Sequence, residues 1–139
     1  MNKGLTIIEL IVVVTIISLI GVSVSPFISG FLTRNNIEST SDNLVSSLVK
    51  AQSYAMDRKL GKPWGVCIQN GKIIVFSGAC IAPVTSDDFS IPGNIIVSGI
   101  SEVTFNTRGE PSTALDISLT SGADSVSIEM TAAGGLNIN

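Results

Sequence analysis

The sequence predicts an α+β fold, in which a long N-terminal helix packs on a C-terminal antiparallel β-sheet domain. Two patterns in the 139 residues support this prediction. An apolar run extends from Leu5 to Leu32, and Glu9 is the only charged residue in it. After Pro63 the apolar residues recur with a period of two, which is typical of strands with one buried face. The helix is therefore expected first, and the strands after it.

The apolar run has the length of a membrane span, which needs about 20 mostly apolar residues. A short polar segment with Lys3 precedes it and favours a single span with that lysine on the cytoplasmic side. A secretory signal peptide has an apolar core of roughly 7–15 residues, so this alternative fits less well. Pro26 removes one backbone hydrogen bond and is expected to bend the helix.

Glu9 is costly in such a segment, because a carboxylate inside a membrane costs on the order of 3 kcal/mol. One interpretation is that it has a partner or a function. The alternative is that its side chain reaches the lipid headgroups from near the end of the helix. The residue pattern alone leaves both open.

From Ile37 onward the helix becomes amphipathic, with apolar residues at helical spacing. We expect one helix from about Thr6 to Arg58, ended by Gly61 and Pro63. The expected organisation is a leader at 1–4, a membrane-spanning half at 5–33, an amphipathic half at 34–62 and an antiparallel β domain at 63–139.

The β domain begins with a predicted hairpin, Trp64–Gln69 and Lys72–Ser77, around the turn Asn70–Gly71. This register places Val66 and Ile68 on one face with Ile73 and Val75. A loop containing Pro83, Asp87, Asp88 and Pro92 is expected next. Further strands are predicted at Asn94–Val97, Glu102–Phe105, Leu115–Leu119, Ser125–Met130 and Leu136–Ile138.

The two cysteines, Cys67 and Cys80, would lie outside the cytoplasm, where disulfides persist. In the predicted register Cys67 faces Ile74, and a straight second strand would carry Cys80 about 20 Å away. A disulfide needs Cα atoms within about 7 Å. The bond is possible only if the chain doubles back at Gly78, so bonded and free cysteines both remain open.

Catalysis, metal binding and cofactor binding are not expected. The chain has no histidine, two cysteines cannot form a four-thiolate zinc site, and no paired-carboxylate motif is present. The net charge of −3 gives no general attraction to nucleic acid.

The segment Gly4-Leu5-Thr6-Ile7-Ile8-Glu9-Leu10 closely resembles the processing motif of type IV prepilins. The resemblance implies that a prepilin peptidase cuts between Gly4 and Leu5 and methylates the new amine of Leu5. Glu9 then becomes the fifth residue of the mature chain and can approach the amine of a neighbouring subunit. Pro26 falls where many pilins carry a helix-bending proline.

The β domain resembles GspH/FimT-type pseudopilins, which narrows the resemblance to a pilin-like fold of that group. The matching segments are Trp64-Gly65-Val66, Phe76-Ser77-Gly78, Val103 to Pro111, and Ala133-Gly134-Gly135-Leu136. The resemblance implies a minor subunit of a type II secretion pseudopilus or type IV pilus that helps to initiate assembly at the tip. The implied partners are other pilin subunits, the prepilin peptidase, an inner-membrane assembly platform and an assembly ATPase.

The expected location is the inner membrane, with the C-terminal domain on the periplasmic or extracellular side. The alternatives are a major pilin, a surface-exposed minor pilin that binds DNA or mediates adhesion, and a membrane-tethered enzyme. Some FimT-like proteins bind DNA through basic residues near the C-terminus, but the last basic residue here is Arg108. Arg58, Lys59 and Lys62 are interpreted as a solvated helix end, so nucleic acid is not an expected partner.

Overall fold

The structure is a computed structural model that describes residues 6–139, with the side chains of 22–29 excepted. The chain divides into two compact units, Met1–Thr33 and Arg34–Asn139. A single helix, α1 (Ile7–Met56), contributes to both. The predicted limits of this helix, Thr6 and Arg58, agree with the observed ones within two residues.

The described side chains of the first unit are mostly apolar and mostly exposed. Between Ile7 and Ile20 the large apolar residues range from 47% exposed at Val13 to 82% at Ile7. Over the residues that the structure describes, no helical stretch has both the length and the hydropathy to cross a membrane. The predicted span at 5–33 includes Leu5 and the side chains of 22–29, which lie outside the description, and it stays a prediction.

The helix of the second unit buries one face. Its buried residues recur every three or four positions, as the amphipathic pattern predicts. They are Ile37, Thr40, Ser41, Leu44, Ser47, Leu48, Ala51 and Ala55. The hydroxyls of Thr40 and Ser47 donate to the carbonyls of Asn36 and Asn43, at 2.8 and 2.6 Å, so these polar groups keep partners inside the core.

The helix ends at Met56, earlier than the predicted Gly61. Arg58 adopts a left-handed conformation with φ of 50°, and a short 3₁₀ turn follows at Lys59–Gly61. Leu60 also has a positive φ, 62°. These backbone conformations cannot continue an α-helix, and they turn the chain into the first strand.

Eight strands form two antiparallel sheets. The first sheet has the order β3-β2-β1-β5 and the second the order β4-β6-β7-β8. Their limits are β1 Trp64–Gln69, β2 Lys72–Ala79, β3 Ala82–Ser90, β4 Ile96–Ser98, β5 Glu102–Phe105, β6 Leu115–Ser121, β7 Asp124–Met130 and β8 Leu136–Ile138. The prediction of a helix on antiparallel sheets is confirmed.

The predicted β1–β2 register is also confirmed, because Val66 pairs with Val75 and Ile68 with Ile73. Val66, Val75 and Val103 of the first sheet join one buried cluster with Leu44 and Leu48 of α1. The second sheet adds Leu115, Ile117, Leu119, Ile128 and Met130 to it. The amphipathic part of α1 therefore forms one wall of a core that both sheets share.

The predicted loop containing Pro83, Asp87 and Asp88 is wrong, because these residues belong to β3. β3 is an edge strand and is exposed along almost its whole length, so it lacks the alternating apolar residues that reveal a half-buried strand. Its two carboxylates form ion pairs with Lys50 and Lys72. A proline is tolerated at the start of an edge strand.

Cys67 and Cys80 form a disulfide, with their Cα atoms 6.3 Å apart. The chain meets the condition set by the sequence, because it doubles back just after Gly78. Gly78 has a φ of 96°, and the β2–β3 register is irregular between Ser77 and Gly78. β3 then starts at Ala82, only two residues after Cys80.

Candidate assembly surfaces

The start of α1 places Glu9 in the first helical turn. The backbone N–H of Glu9 donates to the carbonyl of Thr6 at 3.1 Å and lies 3.4 Å from its hydroxyl. A carboxylate at this position is favoured by the positive end of the helix dipole. The Glu9 side chain is exposed, and within residues 6–139 no cation lies at ion-pair distance from it. It is therefore available to a partner.

The other residues predicted to act in processing are not described. Gly4 and Leu5 lie outside the described residues, and so does the side chain of Pro26. Cleavage, methylation and the pairing of Glu9 with an amine stay predictions. Of the predicted site residues, the structure brings together Cys67 and Cys80.

The disulfide lies on the face of the first sheet that is turned away from α1. Cys67 shares this face with Gly65 and Phe76, and both Cys67 and Phe76 are buried. A Cβ at Gly65 would collide with the Phe76 ring and with the backbone carbonyl of Val103. Gly65 therefore lets the Phe76 ring lie flat on the strand. The disulfide-bonded turn covers this ring and leaves Ile81 89% exposed at its tip.

A cleft of 460 Å³ opens where α1 ends. Ala55, Pro63 and Phe105 give it apolar walls, and Arg58 and Lys62 lie at its rim; Gly61, Asn106 and Thr107 complete the lining. The sequence analysis interpreted the basic residues here as solvated, and it missed the cleft because Phe105 and Asn106 lie more than 40 positions beyond the helix end.

The segment beside this cleft is held in place by aromatic residues. The indole N–H of Trp64 donates to the carbonyl of Lys59 at 2.8 Å. The Lys59 ammonium lies 3.6 Å from the centre of the Tyr54 ring, within the range of a cation–π interaction. Tyr54 and Trp64 contact each other edge to face, with ring centres 4.7 Å apart. The turn at 58–62 is thus anchored at its middle.

Gln52 is a second residue whose role the sequence did not reveal. Its side-chain amide donates to the carbonyl of Gly109 at 2.8 Å and of Gly134 at 3.1 Å. These contacts tie the turns after β5 and β7 to α1. The partners are 57 and 82 positions away in sequence, so no local pattern could indicate them.

The ionisable groups show no catalytic arrangement within the described part of the chain. The Asp87 carboxylate raises the pKa of Lys50, and the Lys72 ammonium lowers the pKa of Asp88. Both shifts arise from ion pairs that hold β3. No group of His, Cys, Asp and Glu among residues 6–139 could bind a metal ion. What the described residues offer is surfaces for other proteins.

Comparison with known proteins gives two matches. Residues 40–134 match the family model described as "Type II transport protein GspH". The fold is similar to a solved structure described as the minor pseudopilin EpsH from the Type 2 Secretion System of Vibrio cholerae, with a TM-score of 0.58 and 10% sequence identity. That alignment covers 75% of this chain and 96% of the other. No match was found among curated proteins.

Proposed function

Because the chain belongs to the GspH family of type II transport proteins, we propose that it is a minor pseudopilin, a structural subunit of a type II secretion pseudopilus. The family match over residues 40–134 carries this proposal, since it spans the amphipathic part of α1 and nearly all of the β domain. The similarity in fold to EpsH supports it. In this role the second unit presents surfaces to other subunits and catalyses no reaction.

The first unit anchors the subunit in the inner membrane before assembly and contributes to the filament core afterwards. The exposed apolar side chains of α1 between Ile7 and Ile20 support this part of the proposal. Each square ångström of apolar surface removed from water contributes about 25 cal/mol. Lipid or neighbouring helices can remove that surface from water. The second unit lies on the outer side of the membrane, where its disulfide persists.

Processing between Gly4 and Leu5 makes the subunit competent for assembly. The cut creates a positive amine at Leu5, which the peptidase methylates, and Pro26 bends the helix further along. Glu9 pairs with the amine of the adjacent subunit. Its exposure and its lack of a cation within residues 6–139 support this role, because a buried unpaired carboxylate is costly and a paired one much less so.

In the filament the subunit acts at or near the tip and helps to initiate assembly. The partners are other pseudopilins, the prepilin peptidase and the inner-membrane assembly platform. The exposed surfaces of the second unit, including the cleft at the end of α1 and the disulfide-bonded turn, are suited to contacts between subunits.

The mass of the mature N-terminus tests the proposal most directly. The full chain is expressed with its prepilin peptidase and, as a control, without it. With the peptidase we expect a chain that begins at methylated Leu5, and without it a chain that keeps residues 1–4. A chain that keeps these residues in both cells would refute the proposal.

Replacement of Glu9 tests the pairing. Glu9→Ala and Glu9→Gln are expected to leave membrane insertion intact and to reduce incorporation into sheared filaments at least tenfold. Glu102→Gln, which removes an exposed carboxylate from β5, is the matched control and is expected to incorporate normally. Normal incorporation of Glu9→Gln would rule out the pairing and leave the processing result unaffected.

A further inference from the structure

The basic side chains of the second unit are unevenly distributed. Arg34, Lys50 and Lys72 each form an ion pair with a carboxylate. Among the described residues, the basic side chains without such a pair all lie in two segments, 58–62 and the turn after β5; they are Arg58, Lys59, Lys62 and Arg108. We call these residues the basic end.

The basic end is a prepared surface. Arg58 and Lys62 border the cleft whose walls are Ala55, Pro63 and Phe105. Trp64 fixes the carbonyl of Lys59, as described above. The turn that carries Arg108 is also fixed, since the Asn106 side-chain oxygen accepts hydrogen bonds from the N–H groups of Arg108 and Glu110 at 2.9 and 3.0 Å. Cations and an apolar cavity are therefore held in one place.

A second cleft in the same unit has the opposite charge. It has a volume of 350 Å³ and is lined by Glu38, Ser41, Asp42, Val126 and Ile138. We call these residues the acidic end. Asp42 makes no ion pair within the described residues, and Glu38 pairs only with exposed Arg34 at 3.3 Å, a contact of small energy. The acidic end also joins carboxylates to an apolar floor, including half-exposed Ile138.

The two ends lie apart along one helix. From Asp42 to Met56, the last residue of α1, the helix rises about 21 Å. One copy of the chain cannot bring its own two ends into contact. Two copies in the same orientation can, and a contact between unlike surfaces repeats along a filament and does not close a pair.

We infer that the basic end of one subunit binds the acidic end of a second copy of this chain. The inference rests on the proposed function, since it assigns a contact between subunits of the same filament. Arg58 and Lys62 lie against Glu38 and Asp42, and the apolar walls of the two clefts meet between them. Because the charges surround apolar surface that excludes water, their attraction is screened less than that of an open surface pair.

Two other readings of the basic end explain less. Cations just beyond the end of a helix complement its dipole, but this does not account for the apolar cleft between them. Nucleic acid would require a broader cationic surface, whereas Asp57 and Glu110 flank these cations and the whole chain carries −3. A second copy supplies carboxylates and apolar contact together.

Carbodiimide cross-linking tests the contact in membranes that contain the full-length chain. This reagent joins a carboxylate directly to an amine, so it cannot bridge the two ends within one copy. We expect peptides in which Lys62 or Lys59 is joined to Glu38 or Asp42. The yield is expected to fall severalfold between 0.05 and 0.5 M salt, because the contact is partly electrostatic. Cross-links from these lysines only to other pseudopilins would overturn the inference.

Charge reversal tests it independently, by capture of one tagged full-length copy on another. Arg58→Glu with Lys62→Glu in both copies is expected to reduce capture at least fivefold, and so is Glu38→Lys with Asp42→Lys. All four changes together in both copies should restore it. The control, Lys50→Glu with Lys72→Glu, makes the same change of charge elsewhere and should retain capture. Absence of restoration by the four changes would overturn the inference.

Two further measurements separate the alternatives. Binding of labelled duplex DNA by the wild-type chain, lost on reversal of the basic end, would replace the second copy by nucleic acid and overturn the inference. Peptidase-dependent cleavage is measured on every variant. If cleavage and filament incorporation persist while capture ignores all charge reversals, only the inference fails and the proposed function stands. If the wild-type chain is never cleaved, the proposed function fails and the inference fails with it.

Discussion

Leu10 and Leu48 lie on the same helix and meet opposite environments. Leu48 is fully buried against the sheets of the second unit, whereas Leu10 is 57% exposed. The two residues have the same helix propensity and the same apolar surface. The difference lies in what the rest of the chain provides, since the second unit has two sheets to cover its helix.

This contrast separates the source of stability from the source of association. The core of the second unit is complete within Arg34–Asn139, with its buried residues drawn from α1 and from both sheets. The described apolar residues of the first unit contribute little to that core. Their hydrophobic free energy is still available, and lipid or neighbouring subunits can use it. Mutations in the two regions should therefore have different consequences.

The largest expected effect comes from Leu48→Ala. Removing a fully buried leucine leaves a cavity and should lower the free energy of unfolding by about 2–5 kcal/mol. Leu10→Ala, the matched change in the first unit, should alter it by less than about 0.5 kcal/mol. Urea unfolding of the full chain in detergent micelles, followed by the fluorescence of Trp64, the single tryptophan, measures both. Equal destabilisation by the two variants would contradict the contrast.

The disulfide should have the next largest effect. Cys67 and Cys80 are 13 positions apart, and closing a loop of about 15 residues contributes about 3 kcal/mol in the chain-entropy model. Changing both cysteines to alanine should lower the free energy of unfolding by about that amount. Reduction should destabilise the wild-type chain similarly and leave the double variant unchanged. Free thiols in the denatured, unreduced wild-type protein would show that the bond is absent.

Two glycines sharpen the comparison. Gly65→Ala should destabilise the second unit by about 1–3 kcal/mol, because the new Cβ collides with the Phe76 ring and the Val103 carbonyl. Gly30→Ala meets nothing within 4 Å and should favour the helix by up to about 1 kcal/mol. Thermal unfolding and helix content measure these effects. A Gly30→Ala chain that is stable yet excluded from filaments would show that a neighbouring subunit packs closely there.

The smallest expected effect is the pH dependence of the Lys72–Asp88 ion pair, whose N–O distance is 2.6 Å. The Lys72 ammonium lowers the pKa of Asp88 in the folded chain, so the contribution of this pair is present above the ordinary aspartate pKa of about 3.9. It is lost as the pH falls through the lowered value. Asp88→Asn should therefore be slightly less stable than wild type at pH 7, with the difference disappearing in strong acid. Asp124→Asn, at an exposed turn, is the control. A difference that grows on acidification would contradict this sign.

Much of the fold could be predicted because its signals are local. Asn70–Gly71 between two apolar strands predicts the first hairpin, and period-two alternation predicts β6 and β7 nearly to the residue. β3 could not be predicted in this way. As an exposed edge strand it carries no burial pattern, and its carboxylates gain their partners Lys50 and Lys72 only in the folded chain.

The candidate site divides along the same line. The sequence by itself determined the apolar run with its single carboxylate, the order of helix and strands, and the resemblance to prepilins, because each depends on neighbouring residues. Only the tertiary structure decided that Cys67 meets Cys80, that Gln52 joins two distant turns, and that Arg58 and Lys62 border an apolar cleft. These depend on contacts between residues far apart in sequence, which form only when the helix and the two sheets pack together.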